Sequence, residues 1–162
     1  MKRQGFKDRF IDLIYSCIST TTMSVIINGE PGPSFHPNRG VRQGCPLSPY
    51  LFILAVNELP ICLQQNSSSH NIHGITLGPN CPRIHALLFA DDLIICGQAT
   101  HNEATKINSI LQNFCAASGQ TPNLSKSSII FSRNIDSQSK IAVKSIFPVQ
   151  DLLPNAIYLG IP

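Results

Sequence analysis

The chain has 162 residues, 43% of them apolar and 13% charged, with a formal net charge of +3. That length suits one domain with a real core, and the composition is too apolar and too weakly charged for a disordered chain. A +3 balance tolerates a polyanionic partner without demanding one, because the basic residues are scattered rather than gathered in one run.

Six cysteines, Cys17, Cys45, Cys62, Cys81, Cys96 and Cys115, stand apart from one another. No Cys-x-x-Cys pair is available to join His70 and His73 in a zinc site. The expectation is reduced, mostly buried thiols in an intracellular protein of the cytoplasm or nucleus. Met1-Lys2-Arg3 is not followed by the apolar stretch of a secretory signal. The longest apolar run, Tyr50 to Val56, is far shorter than the roughly 20 residues of a membrane span. A soluble, unsecreted chain with no membrane contact is expected, and the sequence points to no protein partner.

In chain order, Phe6, Phe10, Leu13, Ile14 and Cys17 recur at helical spacing and predict a first amphipathic helix. Met23, Val25 and Ile27 then alternate, and Asn28-Gly29 turns the chain back into a return arm near Ser34 to Val41. Ser48-Pro49 opens a second helix, with Ser48 as cap and Pro49 at the first position, where its missing N–H is harmless. Pro60 is expected to kink or end that helix. Residues 66–71 and Gly78 to Pro82 read as loops.

Ile84 to Ala90 and Leu93 to Cys96 are short apolar runs that suit buried strands. Thr100 and Glu103 form a capping-box pattern before Ala104, Ile107, Leu111, Phe114 and Cys115, and Gly119 stops that helix. Ile129 to Phe131 reads as a strand, Ser137 to Phe147 as a weaker helix, and Tyr158 to Ile161 as a possible last strand. This order predicts an α+β fold with helices on one face of a sheet.

Asp91-Asp92 is the first candidate site. Two adjacent carboxylates between apolar strands repel each other unless water or a cation is close. They read either as an ordinary hairpin tip or as ligands of Mg2+, which takes hard oxygen donors from one or two carboxylates plus phosphates and waters. The second candidate is the segment from Arg39 to Pro49. Its glycines permit close backbone approach, and Arg42 and Gln43 can meet phosphate or base edges. It also opens on a helix N-terminus, which favours anions. The same segment reads equally as a loop before a capped helix. The third, Asn123 to Ser127, carries Lys126, which by itself is a solvated strand-edge lysine.

Together these segments resemble one family. Arg42-Gln43-Gly44-Cys45-Pro46-Leu47-Ser48-Pro49-Tyr50-Leu51-Phe52 is similar to the template- and nucleotide-contacting motif of reverse transcriptases. Phe89-Ala90-Asp91-Asp92 resembles their metal-binding turn. Ser118-Gly119 with Asn123-Leu124-Ser125-Lys126-Ser127 resembles the next motif, and Tyr158-Leu159-Gly160-Ile161-Pro162 the start of the primer grip. The wording is closest to LINE-type, non-LTR retrotransposon enzymes. The motifs occur in family order over nearly the whole chain.

The resemblance implies a partial reverse transcriptase domain over residues 1–162, a polymerase palm-like antiparallel sheet with helices packed on one face. It implies RNA-directed DNA synthesis by two-metal nucleotidyl transfer, with Mg2+ as cofactor and an RNA template, a DNA primer and dNTP as partners. Asp91 would be the principal metal ligand and Asp92 its support, with Lys126 near the leaving phosphates as proton donor. Arg42, Gln43 and Gly44 would meet template and nucleotide. Tyr158, Leu159 and Gly160 would begin the primer grip.

The family carries a further metal-binding aspartate on a strand before the first helix, and Asp8 and Asp12, four apart on one helical face, do not match it. Pro122 stands where relatives have an apolar strand residue. The expectation is therefore a palm fragment that is inactive alone. The alternatives are a non-catalytic retroelement remnant that at most binds nucleic acid weakly, and an unrelated α+β binding protein.

Overall fold

The computed structural model describes all residues except Arg39, 69–71, Pro154, Leu159, Ile161 and Pro162, with the side chains of Arg3 and Ser68 also outside the description. His70 and much of the expected last strand, Tyr158 to Ile161, thus lie outside the described residues. Two units are distinguished, Met1–Leu54 and Ala55–Pro162. Both helices and short strands are present, so the mixed α+β class holds.

In the first unit, helix α1 spans Asp8–Ser19. Its apolar stripe is real but thinly covered. Ile14 is buried, whereas Phe10, Leu13 and Ile18 are exposed. Strands β1 (Ile26–Ile27) and β2 (Glu30–Pro31) pair antiparallel. Asn28 and Gly29 both take positive φ, 53° and 88°, as a tight hairpin turn requires. The return arm therefore starts at Glu30, earlier than the expected Ser34. It stays close to its partner as far as the bridge between Met23 and Phe35.

Helix α2 runs Ser48–Val56 and α3 runs Glu58–Ser68. Pro60 interrupts the helical run as expected: α2 ends at Val56, the residue whose carbonyl would need the Pro60 N–H, and the proline falls in the first turn of α3, where a missing N–H loses nothing. One expectation is corrected. The segment after Asn66 is not wholly loop, because α3 continues to Ser68.

The second unit has a defined core. Leu59 and Leu63, one turn apart on α3, meet Ile72 and then Ile107 and Ile110 of α4, His101–Ser118. Strands β3 (Ala86–Phe89) and β4 (Asp92–Ile95) pair antiparallel, in the register Ala86↔Ile95 to Phe89↔Asp92. Ala86, Leu93 and Ile95 pack onto the core. Ile75 and Ile84 exchange backbone hydrogen bonds of 2.9 and 2.8 Å beside this hairpin. Gly74 makes that possible, since a Cβ there would lie 2.5 Å from the Ile84 carbonyl oxygen.

Helix α4 begins with half of the expected capping box. The Thr100 hydroxyl accepts from the Glu103 N–H at 3.3 Å. The Glu103 carboxylate, however, does not return to the Thr100 N–H, which donates instead to the Gln98 carbonyl. It is buried, and it accepts from the backbone N–H groups of His73 (2.9 Å) and Gln98 (3.0 Å). Its other oxygen lies 2.8 Å from His73 Nδ1. Gly119, with φ 72°, ends α4 as the sequence predicts.

Strands β5 (Ser128–Ile129) and β6 (Gln150–Asp151) pair parallel, joined through α5, Ser137–Lys144. The expectation of antiparallel pairing throughout is corrected here, because a helix-containing crossover returns the chain in the same direction. Asp136, unremarked in the sequence reading, caps α5 through the Ser139 N–H at 2.8 Å.

All six thiols are free, and Cys17 and Cys81 are exposed while the other four are half-buried. They are not the mostly buried set expected, since they fall on helix and loop positions beside the core rather than within it. Among the described residues, no helix is long and apolar enough to cross a membrane.

Glu103 generates a stability prediction. Glu103→Ala leaves two backbone donors without their acceptor and His73 without its carboxylate, so it should cost about 3–5 kcal/mol. Glu103→Gln keeps an acceptor and should cost less. Urea unfolding followed by circular dichroism checks both.

Candidate active site

The Asp-Asp pair stands on the turn between β3 and β4. Phe89 pairs with Asp92, so Ala90 and Asp91 are the two residues of the hairpin loop. Ala90 has φ 51°, and Asp91 is not among the positive-φ residues. Positive φ at the first loop residue is the pattern of a II′ turn, a position glycine normally fills. Alanine there carries steric strain of roughly 1–3 kcal/mol. Asp91 and Asp92 are both exposed, and neither takes part in an ion pair among the described residues. The pair is therefore presented to solvent, with its oxygens uncommitted to protein cations.

Lys126 lies on a separate turn ahead of β5. Asn123 builds that turn: its side-chain oxygen accepts from the Ser125 N–H at 3.2 Å and hydroxyl at 2.7 Å. Its carbonyl accepts from the Lys126 N–H at 3.1 Å and the Ser127 hydroxyl at 2.8 Å. Pro122 precedes this turn without breaking it. Tyr158 is partly exposed and Gly160 takes φ 81°. Leu159, between them, is outside the described residues, as is Arg39.

Arg42, Gln43 and Gly44 belong to the first unit, where they form an exposed turn before α2. Gly44 has φ 76°, which a residue with a Cβ adopts only under strain. The Ser48 hydroxyl donates to the Arg42 carbonyl at 2.8 Å. This corrects its expected role: the buried hydroxyl closes the loop and does not cap the helix.

Cys45 stands inside this loop, directly after Gly44. The Leu47 N–H, then the Ser48 hydroxyl, the Ser48 N–H and the Arg42 charge, hold its thiol below the ordinary cysteine range. The Ser48 hydroxyl has one proton, so it serves either the Arg42 carbonyl or the Cys45 sulfur at a given moment. Its position just before a helix start was the sequence signal for this shift.

Among the described residues, no group of three or more His, Cys, Asp or Glu side chains converges as a metal centre. Asp91 and Asp92 do supply hard oxygen donors of the kind Mg2+ prefers, which fits a cation that takes its remaining ligands from water and phosphate.

The family model described as reverse transcriptase (RNA-dependent DNA polymerase) matches residues 2–156. The chain belongs to the reverse transcriptase family. Its relatives include an uncharacterized mitochondrial protein of Arabidopsis thaliana, 49% identical over 67 residues, or 41% of this chain and 55% of that protein. A retrovirus-related Pol polyprotein from type-1 retrotransposable element R2 of Popillia japonica is 33% identical over 59% of this chain and 15% of its own length. A transposon TX1 uncharacterized 149 kDa protein of Xenopus laevis is 28% identical over 79% of this chain and 9% of its own. The chain thus spans about half of the first relative and a small part of the two transposon proteins.

The thiol pattern gives a pH prediction. Cys45 is lowered, while burial raises Cys96 and Cys115. A lowered thiol reaches its reactive thiolate form at lower pH. Iodoacetamide labelling read by mass spectrometry across pH should therefore modify Cys45 at lower pH than Cys96 or Cys115. Ser48→Ala should move the Cys45 curve to higher pH.

Proposed function

We propose that residues 1–162 are a partial palm of a LINE-type, non-LTR reverse transcriptase, with Asp91-Asp92 as its divalent-cation turn. The observation that carries this reading is the exposed Asp-Asp pair at a strained hairpin turn, Asp91 in its loop and Asp92 opening β4, within a chain matched by the reverse transcriptase model over residues 2–156. The four motifs in family order and the two transposon relatives support the LINE-type assignment. The working compartment is the cytoplasm or nucleus.

In this reading the substrates are an RNA template, a DNA primer and a dNTP. Asp91 is the principal ligand of Mg2+ and Asp92 supports it. When bound, the cation neutralises charge on the transferring phosphoryl group. Arg42 meets phosphate or orients its turn, and Gln43 packs against template and incoming nucleotide. Gly44 has no side chain to obstruct that approach. Lys126 stands on a side-chain-braced turn and donates a proton to the leaving phosphates. Tyr158, Leu159 and Gly160 begin the primer grip.

A second reading has support of its own. A two-metal site holds its cations about 3.5–4 Å apart between ligands on opposing sides. No third carboxylate joins Asp91 and Asp92 among the described residues. By itself the 162-residue chain is therefore a nucleic-acid-binding polymerase piece rather than a working polymerase.

Two measurements test these readings. Mn2+ should broaden the amide NMR signals of Ala90, Asp91 and Asp92 in the wild type, and the effect should disappear in an Asp91→Ala/Asp92→Ala chain. Broadening elsewhere alone would overturn the cation turn. In primer extension on an RNA template, the chain should give no product above the Asp91→Ala control, and extension that depends on Asp91 would sink the second reading.

Primer–template affinity should fall as salt rises, because phosphate contacts release counterions. Arg42→Gln should weaken it and flatten the salt dependence by about one unit in a plot of log K against log salt. Fluorescence anisotropy at several salt concentrations measures this.

A further inference from the structure

Outside the motif positions, β5, the residues after it, α5 and β6 enclose an open-mouthed pocket of about 270 Å3. Ile130, Phe131, Lys140, Lys144, Asp151 and Leu152 are among the residues that line it. Lys140 and Lys144 are one turn apart on α5 and share a face. Their charges are not equally available. Lys144 Nζ lies 2.6 Å from Asp151 Oδ2 and is neutralised by it. Lys140 is in no ion pair among the described residues. The nearest acid on its own helix face, Asp136, already accepts from the Ser139 N–H at 2.8 Å and the Ser139 hydroxyl at 2.7 Å.

Lys140 Nζ instead sits 6.0 Å from the centroid of the Phe131 ring. The pocket thus joins one uncommitted cation to an aromatic ring and two partly open aliphatic side chains. Ile130 in particular is 76% exposed.

We propose that this pocket receives one nucleotide unit of a single-stranded nucleic acid. Lys140 meets a backbone phosphate, while sugar and base pack against Phe131 and Ile130. Two ammonium groups against one carboxylate leave one net positive charge, which matches the single charge of a phosphodiester better than that of a di- or triphosphate. The apolar wall needs a ligand with a free flat face, which single-stranded bases offer and paired, stacked bases do not. The choice of nucleic acid over another anion rests on the polymerase reading above, but the lining of the pocket includes neither Asp91-Asp92 nor any residue of the Arg42 turn.

The test is anisotropy of a short fluorescein-labelled oligodeoxythymidylate bound to the full chain, in EDTA so that no metal takes part. Lys140→Gln should weaken binding and reduce the slope of log K against log salt by about 0.7. Lys140→Arg should keep most of the affinity. Phe131→Leu should weaken binding by about fivefold or more, with circular dichroism verifying that the variant is folded.

Wild-type affinity and slope in Lys140→Gln would overturn the proposal, as would an absence of binding by the unaltered chain. Displacement by polyglutamate as effective as by unlabelled oligonucleotide would overturn it too, since the pocket would then be a general anion or acidic-peptide site. A loss confined to Arg42→Gln rejects this pocket and leaves the palm reading standing. A loss in Lys140→Gln with primer–template binding indifferent to Arg42 supports the pocket and counts against the assigned role of the Arg42 turn.

Discussion

The second unit depends on one buried carboxylate. Glu103 is only 3% exposed, yet it gathers the His73 N–H, the Gln98 N–H and the His73 ring. Burying a carboxylate without partners is prohibitive. Charge-assisted hydrogen bonds from several fixed donors offset that cost, and they hold only if the donors stay in place. The requirement therefore runs in both directions. Glu103 needs the chain at residues 73 and 98, and those two segments are held together and against the start of α4 by Glu103. Gly97 leaves the room, because a Cβ at that position would approach Glu103 Oε1 to 2.8 Å and Ile107 Cδ1 to 2.9 Å. Gln98 lies three residues beyond the end of β4, so the carboxylate fixes the base of the hairpin whose other end carries Asp91 and Asp92.

Local chemistry was legible where one short segment determines the outcome. Asn28-Gly29 announced a tight turn because both residues tolerate positive φ. Gly119 announced the end of α4 for the same reason. The Asp91-Asp92 hairpin was legible because two apolar runs of strand length flank a polar break, and the backbone pairs them directly across it. Motif order carried the family, which no single turn or helix start would have done.

What the sequence hid were choices made by distant partners. Thr100 and Glu103 have capping-box spacing, but spacing does not reveal that His73, 30 residues earlier in the chain, offers better donors to the carboxylate than Thr100 does. Ser48-Pro49 has the look of a capped start, yet the serine hydroxyl is turned to the Arg42 carbonyl by the loop that precedes it. Pro60 announced that the helix from Ser48 would kink or end, and it ends at Val56, but the sequence did not show that a new helix would begin at Glu58 and take the proline into its first turn. Periodicity located the apolar face of α1 correctly, but it tells which side of a helix is apolar and not how much is covered. Leu13 remains 60% exposed one residue from the buried Ile14.

The same separation of local from distant causes explains the site. Ala90 at φ 51° and two neighbouring carboxylates make the β3–β4 turn locally unfavourable. Water at the exposed tip screens the carboxylate repulsion, but the backbone strain has to be held by the flanking strands. Those strands are short, with four paired positions between them, and a two-stranded hairpin is marginal by itself. Its rigidity comes from one face, where Ala86, Leu93 and Ile95 rest on the core of α3 and α4, and from the Glu103 bonds beyond the end of β4. Core packing and one buried carboxylate thus keep a strained, acidic loop in a fixed conformation. A turn free to relax would spread its two carboxylates over many arrangements, so Asp91 and Asp92 owe their position to residues that never touch them.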